Sequence, residues 1–480
     1  MKKNHYKNIA KHSVIYGMGD VLGKTLGFFM IPVYTRFLSP SDYGIYELLI
    51  LTSKILTMFF SLGLSSATLR YYFEYDEDDI RKKVISTALI ISVCVSFCGA
   101  YIGHMFRDQL SILCFDTSEY GHLFTYILIS MAFELAMEIP LTYIRAKELS
   151  HIFLIQSVGA LAAGLSLNIY FVVHLQMGLE GILLSNLLTA SFFGCAMIIY
   201  TVSKTNISFS RNLLEKLMRY GWPLIFSGFG FFIIQSADRF FLKHYLTLDH
   251  IGLYSLADRF VSVFPLLVIG PFWKMYGPYR FSIMKREDAK EVYATVQKGM
   301  FAICVFIGLA IILLANDVIK IMTTPAYFGA YQPIPFLVMA AIARVYYYLV
   351  QTGIYLQKET KIVPKIVWGA AIVDVLANFI LVPSLGIIGA AQARFVANLF
   401  LAAITYFVAQ KLYYIKYAHN INLWIVITGV SAWFLSGILS FNNVWISLAV
   451  NMIIVVMAGA IIIKFTIGSP RKFIANLRTE

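Results

Sequence analysis

The sequence has few charged residues and no polar stretch long enough to form a soluble domain. Asp, Glu, Lys and Arg make up 14% of its 480 residues, whereas 59% of the residues are apolar. Soluble domains usually carry about 25% charged residues, so an ordinary soluble enzyme is excluded. An intrinsically disordered chain is excluded as well, because nearly every segment has apolar surface to bury.

Cysteine is also scarce, and histidine follows no metal-binding pattern. The five cysteines are an odd number and four lie in apolar runs, which indicates packing residues rather than a disulfide framework. The nine histidines are scattered without the spacing of metal ligands. We therefore predict no disulfide, no metal site and no cofactor.

The sequence does contain continuous apolar runs of about 20–25 residues, the length of a membrane-spanning helix. Their unbroken hydrophobicity excludes a barrel of alternating strands. The basic N-terminus lacks the apolar core and cleavage site of a signal peptide, so we expect the first helix to be retained. We predict an all-α polytopic membrane protein with fourteen spanning helices, near 13–37, 42–69, 84–106, 121–144, 151–173, 179–202, 220–243, 250–273, 289–314, 331–356, 362–382, 389–411, 421–440 and 443–464.

Lys and Arg are unevenly distributed between the two sets of alternate loops. Of the 39 basic residues, 28 lie in the termini and one set of loops, and four lie in the other set. Basic loops stay in the cytoplasm, so both termini are predicted to be cytoplasmic. These loops are short, which favours attraction to anionic lipid over binding of nucleic acid.

The two halves of the chain resemble each other. The matching positions, about 208 residues apart, are RFLSPSDYGIY (36–46) with HYLTLDHIGLY (244–254), Gly178 and Gly181 with Gly386 and Gly389, and Asn168 with Asn378. Six spans separate the copies, so both copies face the same way, as in transporters built from parallel repeats. We predict four segments: an N-terminal lobe at 1–203, an amphipathic cytoplasmic linker at 204–219, a C-terminal lobe at 220–412, and two appended helices with a cytoplasmic tail at 413–480.

Seven basic residues fall inside the predicted spans and away from their ends, where each costs roughly 2.5–3.5 kcal/mol if it faces lipid. They are Lys24, Lys54, Arg239, Arg259, Lys298, Arg344 and Arg394. Most of them must therefore face water or a carboxylate. The carboxylates available in or beside the spans are Asp20, Glu134, Glu138, Asp238, Asp258 and Asp374.

Sequence spacing suggests how these charges pair. Asp20 and Lys24 are one helical turn apart, and Asp374 is a candidate partner of Arg394. Two ADRF motifs, at 237–240 and 257–260, place Asp beside Arg. Adjacent residues point about 100° apart, so we expect these pairs to form between helices and not within one helix.

Two interpretations of these charges stay open. They are either buried ion pairs that hold helices in register, or groups that line a cavity and couple ions. Glu134 and Glu138 lie one turn apart and could share a proton. A wet, basic cavity would select an anion, because Lys and Arg bind phosphate; its candidate residues are Lys24, Lys54, Arg239, Arg259, Arg344 and Arg394.

Three stretches resemble a known family. MIPVYTRFLSPSDYGIYELL after the first span, SADRFFL in the seventh and IGLYSLADRF in the eighth resemble bacterial polysaccharide-repeat exporters. These are the O-antigen and capsule repeat-unit flippases of the multidrug/oligosaccharidyl-lipid/polysaccharide exporter superfamily. The resemblance covers essentially the whole chain, but its motifs are diffuse, so it indicates the family more firmly than the substrate.

The resemblance implies a transporter and no enzyme. It implies that an undecaprenyl-diphosphate-linked oligosaccharide moves across the bacterial cytoplasmic membrane by alternating access. It also implies a monomer that contacts membrane lipid and works with a polysaccharide polymerase and chain-length machinery. Related flippases of lipid-linked peptidoglycan precursors hold the diphosphate with basic residues of helices one, two and eight, which here are Lys24, Lys54 and Arg259.

Three rival functions fit the sequence less well. A multidrug/cation antiporter of the same superfamily would need an acidic cavity and usually has twelve spans. A repeat-unit polymerase or a membrane glycosyltransferase would need a large outer loop or a metal-binding carboxylate motif. A scaffold without transport would not need so many intramembrane charges.

The uneven distribution of Lys and Arg between the loops predicts which loops are cytoplasmic. Alkaline phosphatase fused within residues 70–83 or 274–290 should be inactive, and green fluorescent protein at the same positions should fluoresce, because both loops are predicted to lie in the cytoplasm. Active phosphatase at either position would contradict the predicted topology.

Overall fold

The computed structural model describes residues 27–265, 269–439 and 441–467. Within these ranges the chain forms α-helices and contains no β-strand. Helices α1 to α9 are Ile31–Phe37, Pro40–Phe60, Leu64–Glu74, Asp78–Met105, Arg107–Phe115, Gly121–Ala146, Ser150–Asn168, Gly178–Thr205 and Arg211–Tyr245. Helices α10 to α17 are Leu248–Phe264, Gly270–Ser282, Ala289–Met322, Ile334–Val350, Thr352–Leu356, Ile362–Leu412, His419–Ile438 and Val444–Ile467.

Ten of the described helices are long and apolar enough to cross a membrane, or eleven if the bent pair Arg211–Pro223 and Gly228–Tyr245 counts as one span. One of the ten, α15, joins two predicted spans across a kink at Gly386. The predicted first, eighth and thirteenth spans include residues outside the described ranges. The predicted class, an all-α polytopic membrane protein, is confirmed.

The described residues form two compact units that divide between Phe229 and Gly230. The core of the first unit joins α3, α4, α6 and the start of α9, through residues such as Leu64, Val84 and Leu217. A core of the second unit joins α13 to both arms of α15, through residues such as Val367 and Leu401. The four segments expected from the sequence stay a prediction.

The internal repeat extends from the sequence to the backbone. Gly178 and Gly386 both adopt left-handed φ angles, 55° and 59°, a conformation that suits glycine because it has no Cβ. Asn168 and Asn378 also behave alike: each donates its Nδ2 to the carbonyl oxygen four residues earlier, at 2.9 Å. Corresponding residues therefore occupy corresponding local structures in the two units.

The SPSD sequence after the first span starts a helix. The hydroxyl of Ser39 accepts a hydrogen bond from the Asp42 backbone N–H at 3.1 Å, and the Asp42 carboxylate accepts one from the Ser39 N–H at 2.9 Å. With Pro40 at the first helical position, this capping box fixes the start of α2. The SPSD part of the stretch that resembles the family thus serves as the N-terminal cap of α2.

The predicted linker at 204–219 alternates buried apolar and exposed basic residues where it enters the start of α9. Leu213 and Leu217 are buried in the first unit's core, whereas Arg211, Lys216 and Arg219 are exposed. This segment forms the first arm of α9, before the break between Pro223 and Gly228.

Two glycines allow a close backbone contact in the first unit. Gly63 separates α2 from α3 with φ of 64°, and a Cβ added to it would lie 2.3 Å from the carbonyl oxygen of Gly221 on α9. Neither the dihedral angle nor the space accepts a side chain. The backbones of Leu62 and Gly63 therefore touch the backbone of α9 at Gly221.

Gly63→Ala should lower the apparent unfolding temperature of the purified protein in detergent. The left-handed conformation alone costs about 1–2 kcal/mol for a residue with a Cβ, and the contact with Gly221 must also open. Gly437→Ala is the matched control, because a Cβ there meets nothing within 4 Å. Equal unfolding temperatures for the two variants would contradict the role of this contact.

Candidate functional site

Four charged side chains form a buried cluster in the second unit, where α9, α10 and α15 meet. Arg394 on α15 donates Nε to Asp238 on α9 at 2.8 Å and Nη1 to Asp258 on α10 at 2.5 Å. Arg239 on α9 donates Nη2 to the other oxygen of Asp258 at 2.6 Å. Two guanidinium groups thus bridge two carboxylates across three helices, and we call these residues the ion cluster.

Neighbouring polar groups complete the ion cluster. The Tyr254 hydroxyl donates to Asp238 Oδ2 at 2.5 Å, and its ring lies 5.4 and 5.5 Å from the guanidinium carbons of Arg239 and Arg394. The backbone carbonyl of Gln235 accepts from Arg394 Nη2 at 2.8 Å. Because the four charged side chains of the ion cluster are desolvated, each needs such partners to remain charged.

The ion cluster is closed to water on most sides. Asp238, Arg239 and Arg394 have 1%, 5% and 4% of their surface exposed, whereas the Asp258 side chain is 21% exposed. Charges balance within the cluster, two against two. It therefore offers little net charge to a ligand, and two of its members, Asp258 and Arg394, line a cavity.

Two details of the pairing differ from the expectation. The prediction that adjacent Asp and Arg cannot pair within one helix is wrong for the first ADRF motif. There Arg239 Nη1 lies 3.2 Å from Asp238 Oδ1, because the long guanidinium arm folds back along the helix. Arg394 contacts Asp238 and Asp258, while Asp374 is buried and accepts a hydrogen bond from Asn378 at 3.2 Å.

Arg344 on α13 differs from the two arginines of the ion cluster. Its Nε donates to Asn398 Oδ1 at 2.9 Å and its Nη1 donates to the side-chain carbonyl of Gln235. Both partners are neutral amides, and Arg344 makes no ion pair with a carboxylate in the described ranges. Its positive charge is therefore oriented by hydrogen bonds but not neutralised.

Arg344 lines a cavity of about 310 Å³ in the second unit. The polar residues of its wall are Gln235, Asp258, Arg344, Tyr348, Arg394 and Asn398. One uncompensated guanidinium beside amide and phenol groups gives the wall the character of an anion site that also presents hydrogen bonds to hydroxyl groups. We call this space the cationic cavity.

The other predicted basic residues lie elsewhere. Arg259 is half-buried on α10 and is engaged in contacts, and Lys54 is exposed on α2. Lys24 and Asp20 lie outside the described residues. The structure thus brings Arg239, Arg344 and Arg394 together, and the roles of the remaining candidates stay predictions.

The predicted carboxylate pair belongs to the first unit. Glu134 on α6 lines a second pocket, also of about 310 Å³, together with Asn168, Asn186 and Thr189. Glu138 is half-buried one turn further along α6 and is not part of this wall within the described residues.

Sequence reasoning missed the neutral residues of the site. Gln235, Tyr254 and Asn398 each lie one helical turn from a charged residue of the ion cluster: four residues before Arg239, before Asp258 and after Arg394. A search for polar side chains at a spacing of four around each intramembrane charge would have found them.

Comparison of the sequence with known proteins identifies relatives. A family described as polysaccharide biosynthesis protein matches residues 9–284, more than half of the chain. A protein from the Lsg locus of Haemophilus influenzae is 23% identical over 422 residues, covering 84% of this chain and 98% of that protein. An uncharacterized membrane protein of the same organism is 20% identical over 292 residues, covering 59% of this chain and 68% of that protein.

Solved structures share the fold. The lipid II flippase MurJ in an inward closed conformation superposes with a TM-score of 0.76 at 15% identity, covering 95% of this chain and 100% of MurJ. An inward-facing multidrug resistance transporter of the MATE family, in the MOP superfamily, superposes with a TM-score of 0.61 at 16% identity, covering 83% of this chain and 94% of that one. The chain therefore has the fold of this superfamily.

Removing Arg394 should destabilise the second unit. Arg394→Leu leaves the carboxylates of Asp238 and Asp258 with only one guanidinium, and breaking a buried pair in this way costs about 3–5 kcal/mol. The apparent unfolding temperature in detergent should fall sharply. Adding Asp238→Asn to this variant should recover part of the loss, because the charges balance again.

Lys298→Leu is the control for that experiment, because Lys298 is half-buried on α12 and makes no ion pair among the described residues. If Arg394→Leu unfolds at the same temperature as Lys298→Leu, the ion cluster does not stabilise the second unit.

Proposed function

Because the chain belongs to the polysaccharide biosynthesis protein family, we propose that it is a flippase for an undecaprenyl-diphosphate-linked oligosaccharide. The family resemblance drawn from the sequence is confirmed by the match over residues 9–284. The proposed cargo is a repeat unit of O-antigen, capsule or exopolysaccharide. The proposed location is the bacterial cytoplasmic membrane, with both termini in the cytoplasm, and the proposed activity is transport without a chemical reaction.

The observation that carries this proposal is the uncompensated charge of Arg344. A diphosphate cannot cross about 30 Å of hydrocarbon unaided, because nothing there replaces its hydration. A guanidinium held by hydrogen bonds to Asn398 and Gln235 can donate to phosphate oxygens without first breaking an ion pair. The surrounding amides and Tyr348 suit the hydroxyl groups of a sugar.

The remaining cations extend the proposed site. Lys54 is exposed on α2 and Arg259 is half-buried on α10, and with Lys24 they match the helices expected from the family resemblance. We propose that these three residues contact the diphosphate as it enters or leaves. Lysine is a compact point charge and binds phosphate with less directed hydrogen bonds than arginine, which favours release.

We propose transport by alternating access because the diphosphate cannot cross the hydrocarbon unaided. A cavity open to one side at a time exchanges the hydration of the diphosphate for fixed cations and returns it on the other side. The lipid tail can remain between helices in the membrane throughout. The driving energy in this proposal is the membrane potential or an ion gradient.

A multidrug/cation antiporter is the alternative transporter. A cationic substrate would need an uncompensated carboxylate in the cavity, but the carboxylate of Asp258, which reaches the cationic cavity, is already paired with Arg239 and Arg394. The excess charge of this wall, from Arg344, is positive. The cavity in the second unit therefore favours an anionic substrate.

A vesicle assay tests the proposal. The purified protein in liposomes should expose a lipid-diphosphate-linked oligosaccharide to an external probe faster than empty liposomes do. Arg344→Ala should slow this exposure by about 10- to 100-fold, because a hydrogen bond to a charged group contributes about 1.5–3 kcal/mol. Arg344→Lys should retain part of the activity.

Lys320→Ala is the matched control, because Lys320 is a basic residue outside the predicted spans. This variant should transport normally. Alanine at Lys24, Lys54 or Arg259, checked for normal protein levels, should also reduce transport. Normal transport by Arg344→Ala would refute the role of Arg344, and normal transport by all three other variants would refute theirs. No transport by the wild type would refute the flippase proposal.

A further inference from the structure

Two neutral amides hold Arg344 in the wall of the cationic cavity. Asn398 Oδ1 accepts a hydrogen bond from Arg344 Nε at 2.9 Å, and the side-chain carbonyl of Gln235 accepts one from Nη1. The third nitrogen of the guanidinium, Nη2, donates to no described residue and is not sealed from the surface. Arg344 is therefore fixed through two nitrogens and has one accessible nitrogen left for a ligand.

The ion cluster anchors both residues that hold Arg344. Asn398 Nδ2 donates to the backbone carbonyl of Arg394, one turn earlier on α15, at 2.7 Å. This bond orients the amide so that its oxygen is the atom left for Arg344. The backbone carbonyl of Gln235 accepts from Arg394 Nη2 at 2.8 Å and from Arg239 Nη1 at 3.2 Å. The position of the free guanidinium thus depends on the neutralised ones.

The internal repeat shows that the fold does not require a cation at the position of Arg344. At the offset of 210 residues that relates Asn168 to Asn378, Arg344 corresponds to Glu134. Arg344 lines the cationic cavity of the second unit, and Glu134, which is exposed, lines the pocket of the first unit. The same scaffold therefore accepts either sign of charge at this position.

The amides accompany the arginine and not the glutamate. At the offset of 208 residues that relates the two motifs at 36–46 and 244–254, Gln235 corresponds to Gly27. At the same offset Asn398 corresponds to Ala190. Gly27 and Ala190 both line the pocket of the first unit, so the three equivalent positions form part of the wall in each unit. The unit with a carboxylate in this wall has no amide at either position.

An amide and a carboxylate differ here in charge more than in shape. Glutamate in place of Gln235, or aspartate in place of Asn398, would keep an oxygen that accepts from Arg344. It would also form an ion pair with the guanidinium, and such charge-assisted bonds are about twice as strong as neutral ones. A phosphate would then have to compete with a carboxylate for Arg344. The neutral amides avoid this competition.

We infer that Gln235 and Asn398 are positioning residues that make the cationic cavity specific for an anion: they orient Arg344 and leave its charge to a diphosphate. The inference rests on the proposed function, because it requires that the diphosphate of the substrate binds to Arg344. It adds that the neutrality of the two amides, as well as the arginine itself, selects the anion.

Binding of labelled undecaprenyl diphosphate to the purified full-length protein in detergent tests the inference. Gln235→Glu keeps the size of the side chain and the acceptor but adds a negative charge, and Gln235 is exposed, so the variant should fold. Its affinity should be at least about tenfold below that of the wild type, the usual effect of losing a hydrogen bond to a charged group. Gln235→Met removes the acceptor without adding a charge and should lose less affinity.

The order of these two variants separates the inferred role from a merely structural one. If Gln235 only held Arg344 in place, Gln235→Glu would bind more tightly than Gln235→Met, because glutamate keeps the acceptor. Gln109→Glu is the matched control, since Gln109 is exposed and does not line the cationic cavity within the described ranges. This control should bind like the wild type.

A second pair of variants covers the case in which Gln235→Glu does not fold, as judged by its size-exclusion profile. Asn398→Asp and Asn398→Leu both lose the hydrogen bond from Nδ2 to Arg394, so they differ in the charge and the acceptor offered to Arg344. Asn398→Asp should bind undecaprenyl diphosphate less tightly than Asn398→Leu. The reverse order would overturn the inference.

The remaining outcomes separate this inference from the proposed function. Wild-type affinity in Gln235→Glu, or tighter binding by Gln235→Glu than by Gln235→Met, overturns the inference and leaves the flippase proposal standing. An equal loss of binding to undecaprenol, which has the same tail without phosphate, overturns it too, because the effect would not concern the anion. Equal binding by the wild type and Arg344→Ala overturns the role of Arg344 and the inference together. No binding by the wild type overturns both the inference and the flippase proposal.

Discussion

A charged side chain inside a membrane must meet an opposite charge, a hydrogen bond or water, and this constraint determines the arrangement of the second unit. Each unmet charge would cost roughly 2.5–3.5 kcal/mol on insertion scales and more by other estimates. Arg239 and Arg394 meet it by binding Asp238 and Asp258 across three helices. Arg344 meets it through two neutral amides, so it stays available to an anion. The same chemistry therefore joins the three helices and leaves Arg344 without a carboxylate partner among the described residues.

The internal repeat gives the two units similar backbones and different charges. Asn168 and Asn378 make the same local hydrogen bond, yet the position of Arg394 is occupied by Asn186 in the first unit. One unit thus carries its own buried cation and presents a further cation to its cavity, whereas the other presents a carboxylate and unpaired oxygens. Part of this difference in charge follows from a substitution at one equivalent position of a shared scaffold, where the first unit has Asn186 and the second unit has Arg394.

Most of the fold could be predicted from the sequence, because long apolar runs and basic loops report directly on membrane spans. The candidate site could be predicted only in part. Hydropathy identified the intramembrane charges, and the ADRF motifs indicated that α9 and α10 pair, but spacing could not show which arginine is neutralised. Which arginine is neutralised depends on how helices that are far apart in sequence meet in space. Asp258 and Arg394, for example, are 136 residues apart in the chain and form an ion pair. Tyr254 and Gln235 went unnoticed because a phenol and an amide carry no net charge. The sequence also pairs Asp374 with Arg394, whereas in the structure Arg394 binds the carboxylates of Asp238 on α9 and Asp258 on α10.

The central claim is that Arg344, and not the ion cluster, holds the anionic part of the substrate. A cryo-electron microscopy structure of the protein with a lipid-diphosphate-linked oligosaccharide tests this claim most directly. The account predicts phosphate oxygens within hydrogen-bonding distance of Arg344, with Arg394 still bound to Asp238 and Asp258. Phosphate bound to Arg394 with those ion pairs broken, or a diphosphate bound away from Arg344, would contradict it.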